Sequence, residues 1–279
     1  MPHVTVNGAK LWYQVTGEGA PVLQLHGSGF GHKNFAQGTP RLAKHFKVID
    51  FDMRGYGASD RPEQRYDMTV WADDAAGLLD ALDIGKAHIH GTSMGGAVAI
   101  SFAATHPDKT DRLVLNCATA KQDFAARAAT RTWIDIARAF GVGSSQLTDA
   151  IAFQCVTRTF LSSPAGGQPF LDGMAKMLGE ANSLHVFIAA CEAISAMDLR
   201  PLLPQIAAPT LVIGGDQDIR TPWVSGADGA GQDYLARHIA GARRYVIAGA
   251  GHSTLLEAPE ENCRVVIDFL LGRAVGTAG

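Results

Sequence analysis

Short aliphatic runs alternate along this chain with longer stretches whose apolar residues recur at helical spacing. That is the pattern of a largely parallel sheet with helices on both faces. The opening departs from it. Val4-Thr5-Val6, an Asn7-Gly8 turn and Ala9 to Val15 predict an antiparallel hairpin at a sheet edge. Val22-Leu23-Gln24-Leu25 and Lys47-Val48-Ile49-Asp50-Phe51 read as strands, and each runs into a Gly-rich loop, His26 to Gly31 and Asp52 to Ser59. A helix is expected from about Thr69, as N-cap, through Leu78, Leu79 and Leu82. Ala87 to His90 predicts a brief strand, Ala97 to Ala104 a buried helix, and Arg112 to Cys117 a further buried strand.

From 119 to 204 the rhythm changes. No strand pattern occurs there, and amphipathic helical spacing dominates, as at Trp133, Ile134, Ala137 and Phe140. Strands resume at Thr210 to Ile213 and at Tyr245 to Ile247. A last helix runs from Pro259 to about Leu271, with Pro just inside its start and Gly272 just past its end. This order predicts one α/β core, 1–118 and 205–279, with 119–204 inserted as a helical cap.

Composition narrows the classes. At 47% hydrophobic over 279 residues the chain can bury a sizeable core. A net charge of −3 without any Lys/Arg run gives no electrostatic reason to expect nucleic acid or an anionic membrane as partner. No apolar run approaches the ~18 residues that span a bilayer. Met1 to Gly8 lacks the basic-then-apolar pattern of a signal peptide, so a cytoplasmic protein is expected. Cys117, Cys155, Cys191 and Cys263 are far apart, with no C-x-x-C and no histidine at ligand spacing. They are expected mostly as small buried residues, with no metal site.

The sharpest chemical signal is Gly91-Thr92-Ser93-Met94-Gly95, a G-x-S-x-G between a predicted strand and a predicted helix. A nucleophile must stand clear of the backbone beside a helix N-terminus, and a tight strand-to-helix turn does this at the expense of a strained serine. A serine hydroxyl also needs a base within hydrogen-bond reach. His252, in the Gly-rich loop after the last predicted strand, can reach over the sheet's C-terminal edge. Of the other histidines near strand ends, His26 is expected to shape its loop and His90 to sit in the core. The base in turn needs an acid to hold its tautomer. Asp218, four residues before Pro222, is favoured over Asp216, which is expected to brace the turn. The strand ending near Cys117 is followed by no acid. Two backbone N–H groups, those of Met94 and Ser28, are the candidate oxyanion donors. A phosphate-binding reading of the His26–Gly29 loop lacks the lysine of a P-loop.

With these residues placed, the whole chain resembles the α/β-hydrolase superfamily. His26-Gly27 resembles its oxyanion loop and Asp52-Met53-Arg54-Gly55-Tyr56-Gly57-Ala58-Ser59 its D-x-R-G-x-G-x-S turn. Gly215, Gln217, Asp218 and Pro222, with Gly251-His252, are similar to its acid and histidine loops. The resemblance implies a mostly parallel eight-stranded sheet, an inserted cap and cofactor-free catalysis. Ser93 disfavours the dehalogenase and epoxide hydrolase branches, which carry Asp there. Within the superfamily the chain resembles 3-oxoadipate enol-lactonases, at Cys191 to Arg200, Pro209 to Asp216, Arg131-Thr132-Trp133 and Arg138 to Gly141. Meta-cleavage-product hydrolases, which cut carbon–carbon bonds, are a second relative, through Leu79 to Ile84 and Met94-Gly95-Gly96. That group usually has Asn before the nucleophile and Trp after the histidine, where this chain has Thr92 and Ser253.

The expected function is hydrolysis of a small ester or lactone through an acyl-enzyme. Carbon–carbon hydrolysis is the alternative, and a ligand receptor on the same fold is the non-enzyme alternative, separable by turnover. The expected partner is a small molecule; oligomeric state is not readable. Phe30, Trp133 and Arg131 are candidate substrate-lining residues.

Overall fold

In the computed structural model, which describes residues 2–276, the alternation of core-facing residues builds one eight-stranded sheet in the order β1-β2-β4-β3-β5-β6-β7-β8. The strands are β1 (His3–Val6), β2 (Ala9–Thr16), β3 (Pro21–Leu25), β4 (Lys47–Phe51), β5 (Ala87–Thr92), β6 (Thr110–Asn116), β7 (Thr210–Gly215) and β8 (Arg243–Ile247). The β1–β2 and β2–β4 pairs are antiparallel and every other pair is parallel. Asn7 and Gly8 both take positive φ, 48° and 76°, the conformation a two-residue hairpin turn requires. Positions 1 and 277–279, outermost in the expected core segments, lie outside the described residues.

Successive strand residues serve opposite faces. Leu23, Ile49, Ile89, Leu115 and Val212 join the larger core beneath α2 (Met68–Ala81), α3 (Met94–Thr105) and α9 (Gln232–His238). Val22, Val48, Val114, Leu211 and Ile213 join the second core with α1 (Thr39–Leu42) and α11 (Pro259–Leu270). Both faces are covered, which is why β5 and β7 are buried at every position. The N-cap of α2 is Asp67, not Thr69. Its carboxylate accepts the N–H groups of Thr69 and Val70, and two free first-turn amides favour an acid over a hydroxyl.

Between β6 and β7 lie α4 (Phe124–Phe140), α5 (Ser145–Cys155), α6 (Arg158–Leu161), α7 (Gly167–Ala181) and α8 (Leu184–Ala196). Asp123, Ser144 and Thr157 cap the first three through side-chain oxygens. Their apolar stripes make a third core, including Trp133, Leu147, Ile151, Leu178 and Phe187, against which Phe30 of the β3 loop and Leu256 of α10 (Thr254–Glu257) pack. Among the described residues no helix is long and apolar enough to cross a membrane.

Candidate active site

Ser93 sits at the turn from β5 to α3 with φ 55° and ψ −120°, a conformation a side-chain-bearing residue adopts only under constraint. Two glycines permit the turn. A Cβ at Gly91 would stand 2.2 Å from the Gly95 carbonyl oxygen, and one at Gly95 would stand 2.0 Å from that of Leu25. Each close approach is one a larger residue would block, so the spacing of the motif is a steric requirement of the turn.

The loop after β8 brings His252 Nε2 to 2.9 Å from Ser93 Oγ. On the other side of the ring, Nδ1 lies 3.0 and 3.2 Å from the two carboxylate oxygens of Asp218. The Asp218 carboxylate also accepts the N–H groups of Arg220 and Thr221, the Thr221 hydroxyl and the Gln232 amide. Burial alone would raise its pKa, but the charge of His252 and these donors together hold it below the ordinary carboxylate value. An ionised Asp218 fixes the imidazole with its proton on Nδ1, leaving Nε2 free to accept from Ser93. Asp216 lies elsewhere, exposed, with Oδ1 accepting the Gly249 N–H at 2.7 Å. It braces the two loops.

Met94 is the first residue of α3, where N–H groups have no partner within the helix. It lines one wall of the site with Ser28. The neighbouring Gly27 N–H is already committed to Asn34 Oδ1 at 2.7 Å. His26 shapes this loop: Nδ1 bonds the Gly27 carbonyl and Nε2 accepts the Met53 N–H, tying the loop to the Asp52–Ser59 turn. Burial lowers its pKa to about 4, so it stays neutral. His90, inside β5, is fully buried and likewise lowered to about 4.

These groups open on a cavity of about 270 Å³ between the sheet's C-terminal edge and the helical segment. Phe30 and Trp133 line it with Ile151, Met174 and Phe187. Arg131 does not. It is two positions from Trp133 on α4, so it points to the opposite side, exposed, with its guanidinium over the Phe124 ring. The arginine in the cavity is Arg220, which the sequence reading passed over although it stands two residues after Asp218.

Cys117 Sγ, Asp218 and His252 offer ligand atoms within 4.8 Å of one another, the one such group among the described residues. Burial pushes the Cys117 thiol well above its usual pKa, so it is not a ready thiolate. With His252 Nδ1 bonded to Asp218, the group suits holding a proton better than holding a cation. Cys117, Cys191 and Cys263 are buried, while Cys155 is half-buried and lines the cavity.

Residues 20–165 match the family model described as alpha/beta hydrolase fold. The chain is 44% identical over 104 residues to 2-hydroxymuconate semialdehyde hydrolase of Pseudomonas sp. (strain CF600), a match spanning 36% of this chain and 37% of that protein. It is 30% identical to the 2-hydroxy-6-oxononadienedioate/2-hydroxy-6-oxononatrienedioate hydrolase of Paraburkholderia xenovorans (strain LB400), over 94% of this chain and 90% of that one. Among solved structures, the enol-lactonase from Burkholderia xenovorans LB400 superposes with a TM-score of 0.86 at 30% identity, over 97% of this chain and all of that one.

Proposed function

The chain belongs to the α/β-hydrolase family, and on that premise we propose that it is a serine hydrolase cleaving a small carboxylic ester or enol-lactone through an acyl-enzyme. The observation that carries the reading is the continuous contact Ser93 Oγ–His252 Nε2–Asp218 at a strained turn facing an apolar cavity. Ser93 attacks the carbonyl carbon as His252 Nε2 takes its proton. The oxyanion is met by the N–H groups of Met94 and Ser28. Collapse expels the alkoxide or enolate, which receives the proton from His252. Water then repeats the sequence on the acyl-enzyme, with His252 again as base.

The carbon–carbon hydrolase reading has its own support in the two dienoate and semialdehyde hydrolase relatives. It requires ketonising a dienol and steadying a carbanion-like leaving group. Thr92 and Ser253 stand here where that group usually carries Asn and Trp. The expected outcome is measurable hydrolysis of small aryl esters or lactones, with kcat/KM on a 2-hydroxy-6-oxodienoate about 100-fold lower, a gap of about 2.7 kcal/mol in transition-state binding. Faster cleavage of the dienoate replaces this proposal with the carbon–carbon reading.

A further inference from the structure

Among the described residues two arginines are almost fully buried, and they are treated differently. Arg54, 7% exposed, meets Asp74 with two 2.7 Å bonds and also donates to the Asn7 carbonyl. That is how a buried guanidinium is ordinarily neutralised. Arg220, 6% exposed, makes no ion pair among the described residues. Nη1 donates to the Ala126 carbonyl at 3.0 Å and Nη2 to the Thr130 hydroxyl at 2.9 Å, both neutral oxygens of α4. Its guanidinium carbon lies 4.2 Å from the centroid of the Trp133 ring. The nearby carboxylates are engaged elsewhere. Asp218 serves His252, Thr221 and Gln232, and Asp123 caps α4 and accepts the Gly226 N–H.

A guanidinium has five N–H groups, and these bonds use two. None of the Arg220 nitrogens is both sealed from solvent and unpartnered, and the residue lines the cavity. Nη1 and Nη2 each have a partner, so the Nε–H, unbonded among the described residues and not sealed from solvent, is the donor this cavity-lining residue keeps for a ligand. The walls there are largely apolar, so the guanidinium is poorly solvated, and burial lowers its pKa from the ordinary arginine value. The other lysine or arginine in the lining, Lys33, is half exposed and paired with Glu180. Only an anion brought in by a ligand completes Arg220.

Building on the hydrolase reading, we propose that Arg220 is the specificity residue of this cavity and binds a carboxylate carried by the substrate. The substrates are then short monoanionic acids bearing an ester or lactone at a second carbon. The anchor is part of the acid loop itself, since the Arg220 N–H donates to Asp218 Oδ1 at 2.9 Å. The guanidinium is thereby carried on the same loop as the acid that holds His252. A neutral ester of the same shape leaves a desolvated cation unpaired, and sites of that kind reject the analogue lacking the group strongly.

The test compares p-nitrophenyl half-esters of short dicarboxylic acids with their carboxamide isosteres. The wild-type protein is expected to favour the carboxylate about 10–100-fold in kcat/KM. Arg220→Met should erase that ratio, and Arg220→Lys should keep part of it. A wild-type ratio of unity overturns the proposal. So does an Arg220→Met variant that lowers both rates equally, since a purely structural clamp between the acid loop and α4 would do that. Calorimetry on Ser93→Ala, titrated with the monoamide of a short dicarboxylic acid and with its diamide, needs neither turnover nor an Arg220 variant. Preferential binding of the monoamide without hydrolysis of either ester sustains the anion site and removes the hydrolase reading. Equal binding removes the anion site.

Discussion

The α/β frame and the helical segment between β6 and β7 meet at one cavity and contribute opposite things to it. The frame supplies the groups able to move a proton, each at a strand end and each fixed by close backbone packing: Ser93 by Gly91 and Gly95, Asp218 by four donors besides His252, His252 by its loop after β8. The helical segment supplies walls. Its apolar stripes serve their own core and the cavity at once, and among the described residues the titratable side chains with a perturbed pKa that it brings to the cavity lining are Cys155 and Cys191, whose thiols burial pushes up to about 12. Chemistry that tolerates little displacement stands on the sheet, and recognition that must vary with the ligand stands on helices. Arg220 joins the two, rooted in the acid loop and bonded to α4.

The comparison predicts first that changes in the frame's reacting groups abolish turnover without unfolding. Ser93→Ala should lower kcat by roughly 10³–10⁶ and leave the circular dichroism spectrum unchanged. Retained activity would break the division at its centre. Asp218→Asn should cost about 10⁴, because the amide favours the wrong tautomer of His252, whereas Asp216→Asn should mainly lower the thermal midpoint. Steady-state rates in the reverse order would show the acid to be misassigned.

The same division explains what could be read before the structure. G-x-S-x-G, the acid loop and Gly251-His252 are short motifs whose meaning is set by neighbours in the chain, so Ser93, Asp218 and His252 were legible. The hairpin, the strands, the last helix and the strandless block were legible from apolar period. Strand ends were less so: β5 runs on through Thr92, because Gly91 and Thr92 still pair with β6, and α3 begins at Met94. The cavity wall depended on which face of α4 turns inward. Trp133 and Arg131, two positions apart, could not both face it, and only tertiary packing decides between them. Arg220 was missed because an arginine in a polar loop reads as a solvated charge. The signal against that was its position, two residues beyond a buried acid. Residues 232–238 carry too short a pattern to announce α9.

Smaller effects probe the seam. Glu257 accepts the Gly251 N–H with Oε1, and the N–H and hydroxyl of Thr157 with Oε2. The Ser253 N–H donates to the Cys155 carbonyl, so His252 is tied to the helical segment from both sides. Glu257→Gln turns one acceptor into a donor facing a donor, at about 1–3 kcal/mol. The expected readout is a fall in kcat of about tenfold with KM little changed. Unaltered kcat would mean that the helical segment does not position the histidine.

The least effect is on acid stability, and it should reside in the frame. Burial lowers the folded-state pKa of His26 and His90 to about 4 from 6.5, and that of His88 in the same direction. Below 6.5 the unfolded chain takes protons that the folded chain refuses, so stability falls as pH drops from 6.5 toward 4. Burial raises Asp50 to about 6 from 3.8, against its bonds to Gln14 and Thr39, and this works in the opposite sense between those values. The histidines outweigh it. The helical segment has a single histidine, the half-buried His185. Thermal midpoints should fall by several degrees between about pH 7 and about pH 4.5. A flat profile would contradict the buried, neutral state of these histidines.

The central claim is that Ser93 forms a covalent acyl intermediate, and trapping that intermediate tests it most directly. Mixing the protein with a p-nitrophenyl ester, quenching within the first turnover and sequencing the peptides by mass spectrometry should find the acyl group on Ser93, with a matching burst of p-nitrophenol. Turnover without a burst or acylated peptide, or an acyl group on Cys155 or another serine, would contradict the account.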